Sequence, residues 1–341
     1  MLNRFVKKKE SVGDLLHPKK GFALNNFSVP SEKEIISGWG AGLKKPIISI
    51  VCHVFNHAHY LRDTLNGFLS QKTTFPFEII INDDASSDQS REIILEYYHR
   101  YPNIIKFFFH PENLFRKGIR PTAVTFFEAT GEFIALCEGD DFWCDERKIQ
   151  TQCELMMRNP SINLCVHPAY KYIVSSGRLK ASFYHGPSTR VLDVHEAVVS
   201  RRQFSPTAAY FMRTAACREM PDWFFRGRGL PFGDYFIEAI LGVNGILYVP
   251  HFFSVYRRGV VGSHTSNFNK ENINSICQKL EKTLYYTNLL NEIPGLSLSA
   301  LRKRLLLIRV DFFIRAIRIG SPRLLLRVIR SFALIDNQRD V

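Results

Sequence analysis

Apolar residues recur along this chain with two alternating periods. Pro46-Ile-Ile-Ser-Ile-Val-Cys52 is a short β-branched run, which predicts a strand buried in a parallel sheet. Tyr60 to Ser70 switches to helical spacing, with Leu61, Leu65, Phe68 and Leu69 on one face. Phe77 to Ile81 reads as a second strand and Gln89 to Tyr98 as a helix. Ile104 to Phe109 is a third strand, Pro121 to Ala129 a helix, and Phe133 to Cys137 a fourth strand. Strand and helix in alternation predict an α/β fold with a mainly parallel central sheet. Ala239 to Tyr256 is apolar enough to test as a membrane span. Asn244, Pro250 and His251 interrupt it and it falls short of ~20 apolar residues. It reads as a buried helix followed by a strand.

The same pattern divides the chain in three. Residues 1–44 are a polar, basic leader; residues 45–270 carry the strand–helix alternation; residues 275–341 read as helices. With 341 residues and 45% hydrophobic side chains, the chain can bury a sizeable core. Its net charge of +13 points to anionic partners: nucleotide diphosphates, nucleic acid or acidic lipid. Seven cysteines with no CxxC pair read as free thiols of a reducing cytosol. The basic amino terminus lacks the apolar core of a secretory signal. The expected location is cytoplasmic, with peripheral attachment to the inner face of the membrane as an open extension.

Two acidic clusters change the picture. Asn82-Asp83-Asp84 ends the second strand and Glu138-Gly139-Asp140-Asp141 ends the fourth. In open α/β sheets, ligands bind at the carboxyl ends of the strands. Crowded carboxylates repel, and they persist where a cation or ligand compensates. Residues i and i+2 of an extended segment share a side, so Glu138 and Asp140 can converge on one ion, or Asp141 can turn in. Oxygen ligands suit Mg2+ or Mn2+, which bridge carboxylate and substrate phosphate. Gly139 leaves room for a phosphate to approach. The plain alternative is a solvated turn that caps the next helix. A carboxylate at Asp83-Asp84 can accept hydrogen bonds from a base or a ribose; a helix cap is the alternative there, for which Ser86, Ser87 and Asp88 are better suited.

The order Ile48-Ser-Ile-Val-Cys-His-Val-Phe-Asn56, Tyr60-Leu-Arg-Asp-Thr-Leu65, Glu78-Ile-Ile-Ile-Asn-Asp-Asp-Ala-Ser-Ser-Asp88, then Glu138-Gly-Asp-Asp-Phe-Trp143, resembles the family 2 glycosyltransferases. The resemblance spans roughly residues 45–260. It implies a GT-A fold, a Rossmann-like nucleotide-binding domain to which the C-terminal helices are appended. It also implies inverting transfer from a nucleotide-sugar donor, UDP-linked by default, to a glycan or lipid-linked acceptor, as in surface polysaccharide synthesis. Phe55 and Asn56 match the loop beside the nucleobase, and Asp83 and Asp84 the pair that contacts base and ribose. Arg116 to Thr122 matches a connection close to the nucleotide. Glu138-Gly139-Asp140 matches the DxD metal motif, with Asp140 the principal ligand and Glu in place of the first Asp. Asp141 and Trp143 match donor-pocket positions. Asp234 stands where the family carries its catalytic base. Arg257, Arg258 and His264 match a closing segment near the diphosphate or metal. The first strand departs from the family in lacking the usual proline, which leaves His53 unexplained, and His57 and His59 read as solvent-facing. Phe204 to Arg213 with Trp223-Phe224-Phe225 reads as an acceptor wall or as ordinary core.

Residues 301–341 hold ten Lys/Arg against three Asp, more than half of the net charge. Ser321-Pro322 restarts a helix there. Basic amphipathic helices lie on anionic membranes or pack on a core with their arginines solvated, and both readings stay open. A nucleotidyltransferase is the rival enzyme class; the expected glycine-rich basic loop after the first strand is absent. A catalytically inactive GT-A fold acting as a binding module is the other alternative. A nucleic-acid-binding protein is disfavoured, because no zinc, helix-turn-helix or RNP-like motif accompanies the charge.

Overall fold

The structure is a computed structural model, and it describes residues 28–40, 45–260 and 272–336, with backbone alone at 333–336. Its first strands are β1 (Ile48–Val54), β2 (Phe77–Asp83), β3 (Ile105–Phe109) and β4 (Phe133–Glu138). They pair in parallel in the order β3-β2-β1-β4. Side chains alternate across a pleated strand, so each strand feeds two cores. Ile50, Cys52, Ile79, Ile81 and Ala135 join one cluster, whereas Val51, Ile80, Ile134 and Leu136 join the other. The continuous apolar runs are explained by this: both faces of β1, β2 and β4 are covered, while the edge strand β3 is partly exposed.

Helix α1 (Glu32–Ser37) precedes the sheet and starts at a complete capping box between Ser31 and Glu34. Helices α2 (Ala58–Leu69), α3 (Ser90–Arg100), α4 (Thr122–Glu128) and α5 (Lys148–Arg158) connect and follow the strands. The ends of α2, α3 and α4 differ from the sequence reading by one or two residues. Leu61, Leu65, Phe68, Ile94 and Tyr97 cover the first core, and Phe126 the second.

Beyond β4 the sheet is less regular than the alternation suggests. It continues through β10 (Phe211–Arg213), β6 (Leu164–Val166), β11 (Ile246–Tyr248) and β9 (Arg190–Leu192). Here β10 and β9 run antiparallel to their neighbours. A second sheet, unforeseen from sequence, has the order β5-β12-β7-β8, with β5 (Phe142–Trp143), β7 (Ala169–Ile173), β8 (Arg178–Ser182) and β12 (Ser254–Arg258). Its strands are two to five residues long. Local periodicity is weak over such lengths. This sheet brings Arg257 beside the acidic turn that follows β4.

Helix α6 (Gly233–Leu241) packs in the second core, where Phe236 meets Trp223 and Tyr286. Tyr286 belongs to α7 (Ile273–Leu289), which is followed by α8 (Leu298–Arg318) and α9 (Pro322–Asp336). These three helices share a cluster of Ile276, Leu280, Ile308, Ala316, Leu324 and Val328. Gly320 ends α8 at φ 62°, with Ser321 N–H donating to the Ala316 carbonyl at 3.0 Å. No helix among the described residues is long and apolar enough to cross a membrane.

Candidate active site

The loops after β1 and β2 are stitched together. Asn56, at φ 57°, accepts from Ser87 N–H at 2.7 Å and donates its own N–H to Ser86 Oγ at 2.9 Å. Asp88 accepts from Ala58 N–H at 2.9 Å and from Ser90 N–H at 3.0 Å, so one carboxylate caps the start of two helices. The amide oxygen of Asn56 is therefore engaged with protein, while its side chain stays exposed. Phe55 remains half-buried with the Arg116 guanidinium 5.9 Å from its ring.

The two members of the Asp83-Asp84 pair have different tasks. Asp84 Oδ1 accepts from Leu114 N–H at 2.6 Å, and Oδ2 from Phe115 N–H at 3.1 Å. That carboxylate braces the segment leading to α4, a task the sequence did not show. Asp83 Oδ1 accepts from Arg91 Nε at 2.7 Å and Ser86 N–H at 3.1 Å. Its Oδ2 is buried with no partner among the described residues. Such an oxygen is costly unless something donates to it.

At the end of β4, Glu138 is exposed while Asp140 and Asp141 are buried. Gly139 has a different use from the one expected. A Cβ there would stand 2.9 Å from His57 Nδ1 and 3.0 Å from Val54 Cγ2, so the missing side chain admits a histidine rather than a phosphate. His57 is accordingly not solvent-facing. Its Nε2 lies 4.0 Å from Asp140 Oδ2, and its Nδ1 is buried without a partner among the described residues. Burial lowers the His57 pKa, against the pull of Asp140.

Arg257 and Trp143 do not line a pocket. The buried Arg257 gives its backbone N–H to Asp141 Oδ1 at 2.8 Å and Nη1 to the Asp140 carbonyl at 3.0 Å. Its other nitrogen pairs with Asp63, and its guanidinium lies 4.4 Å from the Phe142 ring centroid. It holds the acidic turn from behind. Trp143 is wholly buried, with Nε1 donating to the Ala208 carbonyl at 3.1 Å and Lys148 Nζ 4.1 Å from its ring centroid. Arg258 is exposed. His264 lies outside the described residues. Phe204, Phe224 and Phe225 are core residues and not an acceptor wall.

Asp234 comes to this cluster from α6. The helix follows Phe232, which holds the left-handed conformation at φ 51° and exposes its ring. Asp234 Oδ1 accepts from Tyr235 N–H at 2.9 Å. Burial raises the Asp234 pKa, and Arg120 opposes the rise. Arg120 is itself buried, with its pKa lowered to about 10, and it donates to the Leu230 carbonyl at 2.6 Å. Glu138 is raised first by the protein packed around it, then by Asp140 and Asp234. The residue itself is exposed at the end of β4. Asp141 is raised by burial first and by Asp140 second. One turn beyond Asp234, Glu238 accepts from Tyr210 Oη at 2.7 Å and Ser205 N–H at 3.0 Å. Its pKa is raised too, by burial and then by Asp234.

The tertiary structure thus collects Glu138, Asp140, Asp141 and Asp234 in one electrostatically coupled centre. A groove lined by Glu34, Gln71, Lys72 and Gln150 opens at the amino ends of the strands, away from this chemistry. The profile of glycosyl transferase family 2 matches residues 49–264. The chain belongs to glycosyl transferase family 2. Membership displaces the nucleotidyltransferase alternative.

Within this family, the chain is 32% identical over 217 residues to an uncharacterized protein of Mycobacterium tuberculosis, covering 63% of this chain and 60% of that one. It therefore spans under two thirds of that relative's length. It is 29% identical over 150 residues to the putative teichuronic acid biosynthesis glycosyltransferase TuaG of Bacillus subtilis, covering 44% and 56% of the two chains. Among solved structures, TarS of S. aureus in complex with UDP-GlcNAc superposes with a TM-score of 0.62 at 17% identity, covering 84% of this chain and 80% of that one. That likeness establishes the GT-A fold.

Sequence reasoning missed His57, Arg120 as partner of Asp234, and the Glu238–Tyr210 pair. Only Glu238 left a local signal, one helical turn from Asp234 on the same face.

Proposed function

We propose that the protein transfers a sugar, with inversion, from a nucleoside diphosphate sugar to an acceptor hydroxyl, using Asp234 as base. The observation that carries the reading is that the packed chain places Asp234, from the first turn of α6, close enough to the Glu138-Gly139-Asp140 turn to act on the Glu138 carboxyl. The acceptor oxygen attacks the anomeric carbon while the bond from that carbon to the diphosphate oxygen breaks, its electron pair leaving on that oxygen. The acceptor proton passes to the Asp234 carboxylate. Burial raises the basicity of that carboxylate, and the Arg120 charge opposes the rise. Asp83, with its unpartnered Oδ2, is assigned to the nucleoside.

Glu138 and Asp140 offer hard oxygen donors that fit Mg2+ or Mn2+. Among the described residues no group of three His, Cys, Asp or Glu forms a self-sufficient metal site. The fit is therefore to an ion that keeps substrate oxygens and water in its shell. Such an ion, when bound, neutralises charge on the diphosphate.

A UDP-linked donor is favoured by two names: the TarS complex holds UDP-GlcNAc, and an Escherichia coli relative is named a UDP-Glc:alpha-D-GlcNAc-diphosphoundecaprenol beta-1,3-glucosyltransferase. The latter is 30% identical over 113 residues, 33% of this chain and 42% of that one. With TuaG, it favours a lipid-linked acceptor and a role in surface polysaccharide synthesis. The test is a thermal-shift screen of UDP, GDP, dTDP and CMP sugars with Mn2+, repeated with EDTA. A UDP-sugar is expected to stabilise the protein, and less so after chelation. Stabilisation by none of the four would overturn the donor assignment.

A further inference from the structure

The outer face of the α8–α9 hairpin is apolar, cationic and uncovered among the described residues. Leu306, Phe313 and Ile317 recur at helical spacing on α8 and are all exposed. Leu326, Ile329 and Phe332 are exposed on α9. Isolated exposed hydrophobics are ordinary, but six on one hairpin are not.

The contacts of the hairpin show that the two stripes look the same way. On α8, Arg304 donates to the Ser200 carbonyl at 2.6 Å and Asp311 pairs with Arg201, so that flank is bound to the α/β unit. On α9, Arg327 pairs with Glu281 of α7, so that flank is bound to the helix before it. Between the helices, Arg309 donates to the Ser331 carbonyl at 3.1 Å and lies 5.6 Å from the Phe332 ring centroid. The side of α8 next to Leu306 and Phe313 therefore abuts the side of α9 next to Phe332 and Ile329. Together they make one surface.

The charge around that surface has one sign. Arg302, Lys303, Arg318 and Arg323 are exposed on the two helices. Asp311, the one acidic residue of α8, faces away toward Arg201. The single acidic residue of α9 is Asp336, at its last position. A protein partner of ordinary composition needs no such uniform sign. An interface of acyl chains beneath anionic headgroups does, because it takes apolar side chains and cations on the same helix face. Neither helix is apolar enough to span a bilayer.

We propose that the outer face of α8 and α9 docks the protein flat on an anionic lipid surface, with Ile317 and Ile329 entering the acyl boundary and Arg302, Lys303 and Arg323 at the phosphates. This inference rests on the surface alone and stands whatever the donor or acceptor.

The test is cosedimentation of the full chain with phosphatidylcholine vesicles, with and without about 30% phosphatidylglycerol, at low and high salt. The expected result is binding to the anionic vesicles that weakens with salt. An Ile317→Glu/Ile329→Glu variant should bind about tenfold or more weakly. Both positions are more than half exposed, at 61% and 52%, so an unchanged melting temperature and unchanged stabilisation by the donor nucleotide should accompany the loss. If that variant misfolds, Lys303→Glu/Arg323→Glu gives the same reading through charge alone. Failure of the wild type to bind anionic vesicles overturns the proposal, as does equal binding by a folded variant. Should the wild type be a dimer that the variants split, with vesicle binding unchanged, the face is a subunit interface and the proposal fails.

Discussion

Arg120 and Gly233 occupy adjoining space so tightly that a Cβ on Gly233 would stand 2.0 Å from Arg120 Nη1. The glycine lets a buried guanidinium lie against the first turn of α6, beside Asp234. Burial raises the Asp234 pKa and Arg120 holds it down. Replacing Arg120 by Met removes the opposing charge, so the Asp234 pKa should rise further. The acid limb of the pH–rate profile should then move to higher pH, with a larger loss of kcat at pH 7 than at pH 9. An unmoved limb would show that Arg120 has no electrostatic part in the reaction.

Asp234→Asn keeps an acceptor for Tyr235 N–H, so the start of α6 should survive. Turnover should fall by about 10²–10⁴-fold, the usual contribution of a general base. Binding of the donor nucleotide, read by thermal shift, should persist. Near-normal turnover would assign the base elsewhere, with Glu138 next in line.

Gly139→Ala would press a methyl group against His57 Nδ1 and Val54 Cγ2. Overpacking of this kind costs about 1–3 kcal/mol. The displaced His57 also sits against Asp140. Denaturant unfolding should show the loss of stability, and nucleotide binding should weaken in the presence of Mn2+. A variant as stable as wild type would mean that the β4 turn relaxes freely.

Lys148 gives a pH signature of stability. Its amine is buried, donating to Gln152 Oε1 at 2.8 Å, and burial lowers its pKa to about 7. The unfolded chain keeps this proton up to its ordinary value of about 10.4. Between these values the unfolded state binds more protons, so this group's contribution to stability rises with pH. Its penalty is complete below about pH 7 and vanishes above the unfolded value. Lys148→Met removes the penalty. Its stability relative to wild type should therefore be greatest near pH 6 and should decline steadily toward pH 10. A pH-independent difference between the two unfolding curves would refute the buried charge.

The fold was legible because its signals are local. β1 to β4 announce themselves as apolar runs, and α2 shows its buried face as Leu61, Leu65, Phe68 and Leu69. The acidic clusters were legible for the same reason: a parallel sheet presents its strand ends together, whatever the details. The short strands of the second sheet carried too few residues to show a period. Arg257, expected near the diphosphate or metal, arrives on one of these strands, β12, and holds the acidic turn from behind.

What the sequence by itself determined is the α/β alternation, the two acidic strand ends and the family. Only the tertiary structure decided which polar atoms are already engaged. Arg257 meets Asp141 across 116 positions of chain, and Arg120 meets Leu230 across 110. Asp84 is taken up by Leu114 and Phe115, while Asp83 keeps an oxygen in reserve. The physical reason is that secondary structure follows from side-chain spacing within a few residues. The free valence of a carboxylate depends on donors that only the packed chain brings within reach.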